Sequence, residues 1–209
     1  LVPPQMQLYV DYKIKVTEIL TNYTSIEEIH SYSIDESFLD ITESLNFFYP
    51  DIRNRYEQMN LITLDLQREI LDKLGLYVTV GMGDNPLLAK LAMDNYAKHN
   101  QNMRALIRYE DVPSKLWTLP KMTDFWGIGK RTEKRLNKLG ISSIKELTNA
   151  DPLLLKQKLG TIGLQHFFHA NGIDESNVRE KYIPKSSSFS NSQILPRDYH
   201  KQKEIELVI

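Results

Sequence analysis

The stretch Ser33-Ile34-Asp35-Glu36-Ser37-Phe38-Leu39-Asp40 decides how the rest of the chain is read. Upstream, Ile29 to Ile34 alternates apolar or aromatic residues with small polar ones, as a half-buried strand does. Phe38 to Thr42 reads as a second strand, so Asp35 and Glu36 fall in the turn between the two. Along a regular strand successive side chains point to opposite faces, and adjacent carboxylates cannot serve one site. At the twisted end of a hairpin they converge. Two ionised carboxylates held close repel, and a divalent cation relieves that repulsion. The competing reading is an ordinary solvated turn, and the dipeptide alone does not choose between them.

Composition narrows the field. With 209 residues, 41% of them hydrophobic, the chain buries a sizeable core in one or two domains. Lys and Arg number 26 against 27 Asp and Glu, a net charge of −1, so a nucleic acid must be met by a local basic patch rather than by the whole molecule. Cysteine is absent, which removes disulfides, thiolate metal sites and a cysteine nucleophile, and fits a reducing compartment. No apolar run approaches the roughly 20 residues of a membrane span, and no membrane partner is expected. Neither a basic nor an apolar signal-peptide region opens the chain. Leu1-Val2-Pro3-Pro4 reads instead like the interior of a longer polypeptide.

From Pro4 to about Tyr23 the spacing of Met6, Tyr9, Val10, Ile14, Val16, Ile19 and Leu20 predicts an amphipathic, core-packing helix. After the strand–turn–strand, Leu45 to Asp51 reads as an aromatic loop. Arg55 to Leu74 reads as a long helix ended by Gly75, with Met59, Ile62, Leu66, Ile70, Leu71 and Leu74 on one face. Leu76 to Val80 is short and β-branched, hence a strand. Gly81-Met82-Gly83-Asp84-Asn85-Pro86 then opens a helix, with Asn85 as N-cap and Pro86 in its first turn. Lacking the third glycine of a dinucleotide fingerprint and the Lys-Ser/Thr of a phosphate loop, that turn is a weak signal. Met103 to Tyr109 reads as a further strand. The alternation predicts an α+β layer to about residue 110, three or more strands with helices on one face.

Beyond Asp111-Val112-Pro113 the pattern is helical only, and a domain boundary is expected near residue 115. Thr123 to Leu136 reads as a short helix capped by Thr123, a Gly127-Ile128-Gly129 hairpin, and a second helix from Lys130 to Leu139 ended by Gly140. Further short helices are expected near 143–149, 152–159 and 163–170, followed by a polar linker from Gly172 to Ser192. The hairpin glycines leave N–H groups free at a helix N-terminus, where they bind a phosphate oxygen without reading a base. Seven basic residues against three acidic ones between Lys121 and Glu146 supply the local patch that the neutral composition requires. A helical hairpin with a solvated basic face is the bland alternative. Lys90 and Lys98 lie about two turns apart on the helix after the glycine turn. Lys98 either complements the helix dipole or, beside a two-carboxylate metal site, contacts a triphosphate.

These stretches, with Leu88-Ala89-Lys90-Leu91-Ala92, Ala97-Lys98 and Phe125-Trp126-Gly127-Ile128-Gly129, resemble the Y-family DNA polymerases. Within them the chain is most similar to the bacterial ImpB/MucB/SamB or UmuC-like group and its Gram-positive UV-repair (UvrX-like) branch. The resemblance covers essentially the whole chain in order. It implies a partial palm over residues 1–115, a mixed or antiparallel sheet with helices on one face. A small all-α helix-hairpin-helix thumb follows over 116–180, and 181–209 would be linker and the start of a little finger, with its first strand from Ser190 onward. It implies an error-prone DNA-directed DNA polymerase acting in SOS-type repair by a two-Mg²⁺ mechanism. Asp35 and Glu36 would be its catalytic and metal-binding pair, Lys98 its triphosphate contact, and Gly127, Ile128, Gly129, Lys130 and Arg131 its DNA-binding hairpin. Primer–template DNA and dNTP are the implied partners, a sliding clamp a further one, and the bacterial cytoplasm and nucleoid the implied location.

The resemblance also has gaps. The family's third metal-binding carboxylate sits on an N-terminal palm strand followed by the fingers, and nothing before Leu1 supplies either. Pro86 stands where many relatives have Lys, and His99 where many have Pro. The expectation is therefore a fragment inactive alone, because two carboxylates hold one Mg²⁺ weakly and do not order a two-metal site. A non-catalytic DNA-binding accessory protein is the main rival. A nucleotide cyclase shares the paired carboxylates but leaves the Gly-Ile-Gly hairpin unexplained.

Overall fold

Asn54 starts the longest helix by accepting hydrogen bonds from the N–H groups of Tyr56 and Glu57. In the computed structural model, which describes residues 4–180, 186–190 and 197–207, this helix is α3, Arg55–Leu74. Gly75 ends it at φ +69, where only glycine is unstrained. It follows α1 (Met6–Leu20), β1 (Ile29–Ser31), β2 (Ser37–Leu39) and α2 (Leu45–Phe48). The face of α3 carrying Met59, Ile62, Leu66 and Ile70 packs with Ile19, Leu20 and Tyr23. Each such side chain contributes about 1.5–3 kcal/mol when fully buried.

Two expectations need correction here. Leu45 to Phe48 is a helical turn, not loop. Only the C-terminal end of α1 is core: Met6, Leu8, Tyr9, Val10 and Ile14 stand exposed, because no described element covers that half of the helix.

Strands β3 (Val80–Gly83) and β4 (Arg104–Ile107) pair in parallel, β1 and β2 antiparallel, giving among the described residues two separate two-stranded sheets rather than one. The strand expected at Leu76–Val80 begins only at Val80. Its partner turns away there, since Met103 sits at φ +51 and ends the ladder. Residues 76–79 have no strand neighbour among the described residues, and the Val78 carbonyl accepts instead from the Gln67 side chain (2.8 Å). The expected glycine turn is itself strand. Cβ atoms at Gly81 and Gly83 would lie 2.0 Å from the Ala89 carbonyl oxygen and 2.5 Å from the Ala89 nitrogen. These glycines let α4 (Pro86–Asn95) lie against β3, a packing role and not a phosphate cradle.

The helical remainder comprises α5 (Val112–Lys115), α6 (Lys130–Asn137), α7 (Ile144–Thr148), α8 (Pro152–Leu159) and α9 (Thr161–Ala170). Met122–Asp124 before the hairpin is a single 3-10 turn that Thr123 lies within and does not cap. One apolar cluster runs from Leu87 and Leu91 of α4 through Leu116, Phe125 and Ile128 to Leu155 and Ala170. Residues 172–180, read above as linker, are pinned to this body. The Gly172 carbonyl accepts from Asn85, Asp174 accepts from the Leu87 N–H (3.0 Å), and Arg179 pairs with buried Glu28. The strand expected from Ser190 onward falls mainly on residues 191–196, outside the described part, and Gln202–Glu206 beyond it is a helix, α10.

Candidate functional site

Asp35 and Glu36 sit in the turn between β1 and β2, closed by the Tyr32 and Ser33 N–H groups donating to the Glu36 carbonyl (3.1 and 3.2 Å). The Asp35 carboxylate accepts from the Ser33 hydroxyl at 2.6 Å. That bond, with its own backbone N–H and then Lys13 and Lys90, holds it below the usual carboxylate range. Glu36 is held by a lysine. Both of its oxygens accept from Lys90 Nζ, at 2.9 and 2.8 Å.

From Lys90 the chain of charge continues to Asp94 on α4 and on to Lys98. Lys98 lies not on that helix, as its spacing suggested, but on the 3-10 turn Ala97–His99 that follows the break at Tyr96. The Lys90 ammonium also lies 3.1 Å from Asp94, and Asp94 receives Lys98 Nζ at 2.7 Å. Burial works against the Lys90 charge, yet the bonds to Glu36 and Asp94 raise it above an ordinary lysine. The two lysines picked out by their spacing are thus joined through an aspartate between them, and through Lys90 to the acidic turn. From α1, Lys13 Nζ donates to the Glu36 carbonyl (3.1 Å) and Ser37 hydroxyl (2.6 Å). Desolvation pushes it down despite Asp35 and Glu36. Lys13 escaped the sequence reading, although a lysine in the stripe Tyr9, Lys13, Val16, Leu20 was the signal available.

The glycine hairpin lies beside this cluster. Trp126 packs on Phe38 (centroids 6.0 Å) and edge-on to Tyr32 (5.9 Å), the residues flanking the acidic turn. Gly127 adopts φ +88 and Gly129 starts α6, with Ile128 buried between them. Lys130 and Arg131 are exposed in the first turn of α6. Beneath Gly127 lies His166 of α9, which is 4% exposed, and among the described residues neither ring nitrogen has a hydrogen-bond partner. Desolvation, and then His169, lowers it to about 4.

Between the inner strands β2 and β3 runs a cleft of about 1240 Å³, floored by Met59, Ile62 and Leu66 and opening beside Asp35, Glu36 and Lys90. The outer strands β1 and β4 do not line it. As a cation site the acidic turn offers the right donors, carboxylate oxygens, but from two side chains. Among the described residues no three acidic, histidine or cysteine side chains converge as metal ligands.

Comparison with known proteins gives the family and the fold. Residues 1–94 match the impB/mucB/samB family and residues 109–141 the IMS family HHH motif. The chain belongs to the impB/mucB/samB family, whose solved structural neighbours here are Y-family DNA polymerases. It is 38% identical to a putative UV-damage repair protein UvrX of Bacillus subtilis (strain 168), over 100% of this chain and 47% of the relative. To DNA polymerase IV 2 of the same strain it is 39% identical, over 99% and 48%. A Dbh ternary complex, 28% identical, superposes with TM-score 0.69 over 84% of this chain and 49% of that one. The chain spans about half the length of the curated relatives it matches. No helix among the described residues is long and apolar enough to cross a membrane.

Proposed function

We propose that this chain is the part of an error-prone Y-family DNA polymerase that holds the incoming triphosphate and the primer–template, and supplies two metal-binding carboxylates. One observation carries the reading: the acidic turn, the Lys90–Asp94–Lys98 face and the Gly127–Gly129 hairpin meet in one place through Glu36–Lys90 and Trp126–Phe38. In this assignment residues 1–115 are palm, 116–180 thumb, and 181–209 lead toward a little finger. Asp35 and Glu36 orient the reacting groups, Lys98 binds triphosphate oxygens, and the hairpin N–H groups with Lys130 and Arg131 bind a DNA phosphate. Mg²⁺ held by Asp35 and Glu36 would supply charge neutralisation at the transferring phosphoryl group. A role in SOS-type repair, a clamp partner and a nucleoid location belong to the same reading.

The cleft between β2 and β3 supports the view that the palm is incomplete. Two inner strand edges face one apolar trough, the arrangement that another extended strand would fill. Primer extension tests the assignment. The 209-residue chain is expected to incorporate no nucleotide alone. A longer polypeptide containing it should incorporate, and should lose incorporation on Asp35→Asn or Glu36→Gln. Undiminished extension by either variant would remove the acidic turn from the mechanism. That among the described residues no three metal-type side chains converge favours a second reading, duplex binding without catalysis, which predicts no incorporation by any longer polypeptide.

A further inference from the structure

Glu36 already has a cation. Lys90 Nζ holds both its oxygens, is 8% exposed, and is confined by Asp94 at 3.1 Å and by the ring of Tyr32 at 5.7 Å. A buried ammonium is tolerated only where opposite charge and an aromatic face surround it, as here. Around it Asp35, Glu36 and Asp94 face Lys13, Lys90 and Lys98, three negative charges against three positive. An isolated aspartate–glutamate pair attracts a dication because its charge is uncompensated. This pair is compensated by its own chain.

We infer that Lys90 is an internal counter-ion occupying the cation's place on Glu36, so that a metal ion binds the acidic turn by displacing it and Lys90 sets the affinity. The inference rests on the metal reading of Asp35 and Glu36 given above. Asp94, one turn further along α4, is the acceptor that keeps the ammonium when Glu36 releases it. A lysine that merely braced Glu36 would weaken the metal site when removed. A competing cation does the reverse.

Terbium luminescence on the 209-residue protein, excited through Tyr32 and Trp126, reads the site directly. Removing one unit charge a few ångströms away should tighten terbium binding by Lys90→Met about tenfold. Asp94→Asn leaves Lys90 with Glu36 alone and should bind about threefold more weakly. Both variants break the same ion pair, so opposite shifts separate competition from general loosening. Lys90→Gln, which keeps a donor for Glu36, is expected to tighten binding too and serves if Lys90→Met fails to fold by circular dichroism. Unchanged or weaker binding by a folded Lys90 variant overturns the counter-ion. Asp35→Asn and Glu36→Gln isolate the underlying reading. Terbium binding that survives both, or binding by no variant at all, overturns the metal site itself. Loss in those two with no gain at Lys90 overturns only the inference.

Discussion

The indole of Trp126 rests against the ring of Phe38, 6.0 Å between centroids, and this contact fastens the glycine hairpin to the acidic one. Tyr32 closes the cluster edge-on to both rings. Truncation by Trp126→Ala removes two aromatic pairs worth about 0.5–1.5 kcal/mol each, besides the area they bury. Thermal or urea denaturation should therefore show a loss of about 2–3 kcal/mol, with Trp126→Phe recovering roughly half of it. A loss below about 0.5 kcal/mol would mean that the two hairpins hold their places independently.

The hairpin also makes a binding prediction. Gly127 at φ +88 admits an L side chain only with strain of about 1–2 kcal/mol, and a Cβ there would sit 3.2 Å from the His166 ring. Gly129 has open space around it, so Gly129→Asp should fold normally while placing a negative charge at the start of α6. Fluorescence anisotropy with duplex DNA is expected to show weak, sequence-independent affinity for the parent chain, falling steeply between 50 and 200 mM salt, as phosphate-only contacts do. Gly129→Asp, or charge reversal at Lys130 and Arg131, should lower that affinity about tenfold or more at low salt. Equal affinity across these variants excludes the hairpin as the DNA contact.

Between β3 and α4 the prediction concerns stability first. Gly81→Ala puts a methyl group 2.0 Å from the Ala89 carbonyl oxygen and 2.4 Å from the Met93 nitrogen. Backbone cannot move aside as a side-chain tip can, so α4 must lift from the sheet at about 3 kcal/mol, the upper end of overpacking costs. Because Lys90 and Asp94 ride on α4, terbium affinity should change with it. Gly75→Ala is the contrast: its Cβ meets nothing, and only the left-handed φ opposes it, at about 1 kcal/mol. Similar denaturation midpoints for the two variants would refute the close-packing account of Gly81.

Much of this layout was legible from residue order because the signals were local. Gly75 ends α3 and Asn85 with Pro86 starts α4 by backbone chemistry that needs no distant partner. The turn holding Asp35 and Glu36 was legible for the same reason. Misplaced features depended on remote neighbours. Leu76 to Thr79 has every propensity for a strand, but the ladder is set by Met103 turning away on the other side. Gly81 and Gly83 read in one dimension as a turn opening a helix and in three are strand residues that leave clearance for that helix. Asp174 sits in a polar stretch that composition alone calls linker, yet it accepts from the first turn of α4 87 residues earlier. Within the candidate site, the acids and Lys98 were singled out by motif, whereas the contacts of Lys13 and the bridging position of Asp94 emerge only when α1 and α4 are brought to the acidic turn.

His166 gives the pH dependence a direction. Buried below Gly127 with both ring nitrogens unpartnered, it is lowered from 6.5 to about 4, so the folded chain binds fewer protons than the unfolded chain between those values. Its neutral form therefore supports the fold fully above about pH 6.5, and that support drains away as the pH falls through about 4, amounting to roughly 3 kcal/mol at most. His169, lowered chiefly by burial and partly restored by Asp174, adds to the loss in the same sense. Urea midpoints should be level from pH 7 to 8 and decline between 6.5 and 4, and His166→Leu should flatten the decline while leaving the hairpin's DNA affinity at pH 7.5 within about twofold. If the His166→Leu chain instead loses stability with pH as steeply as its parent, the buried imidazole is not the group being titrated, and the paired carboxylates, such as buried Glu28 with Arg179, would have to account for it.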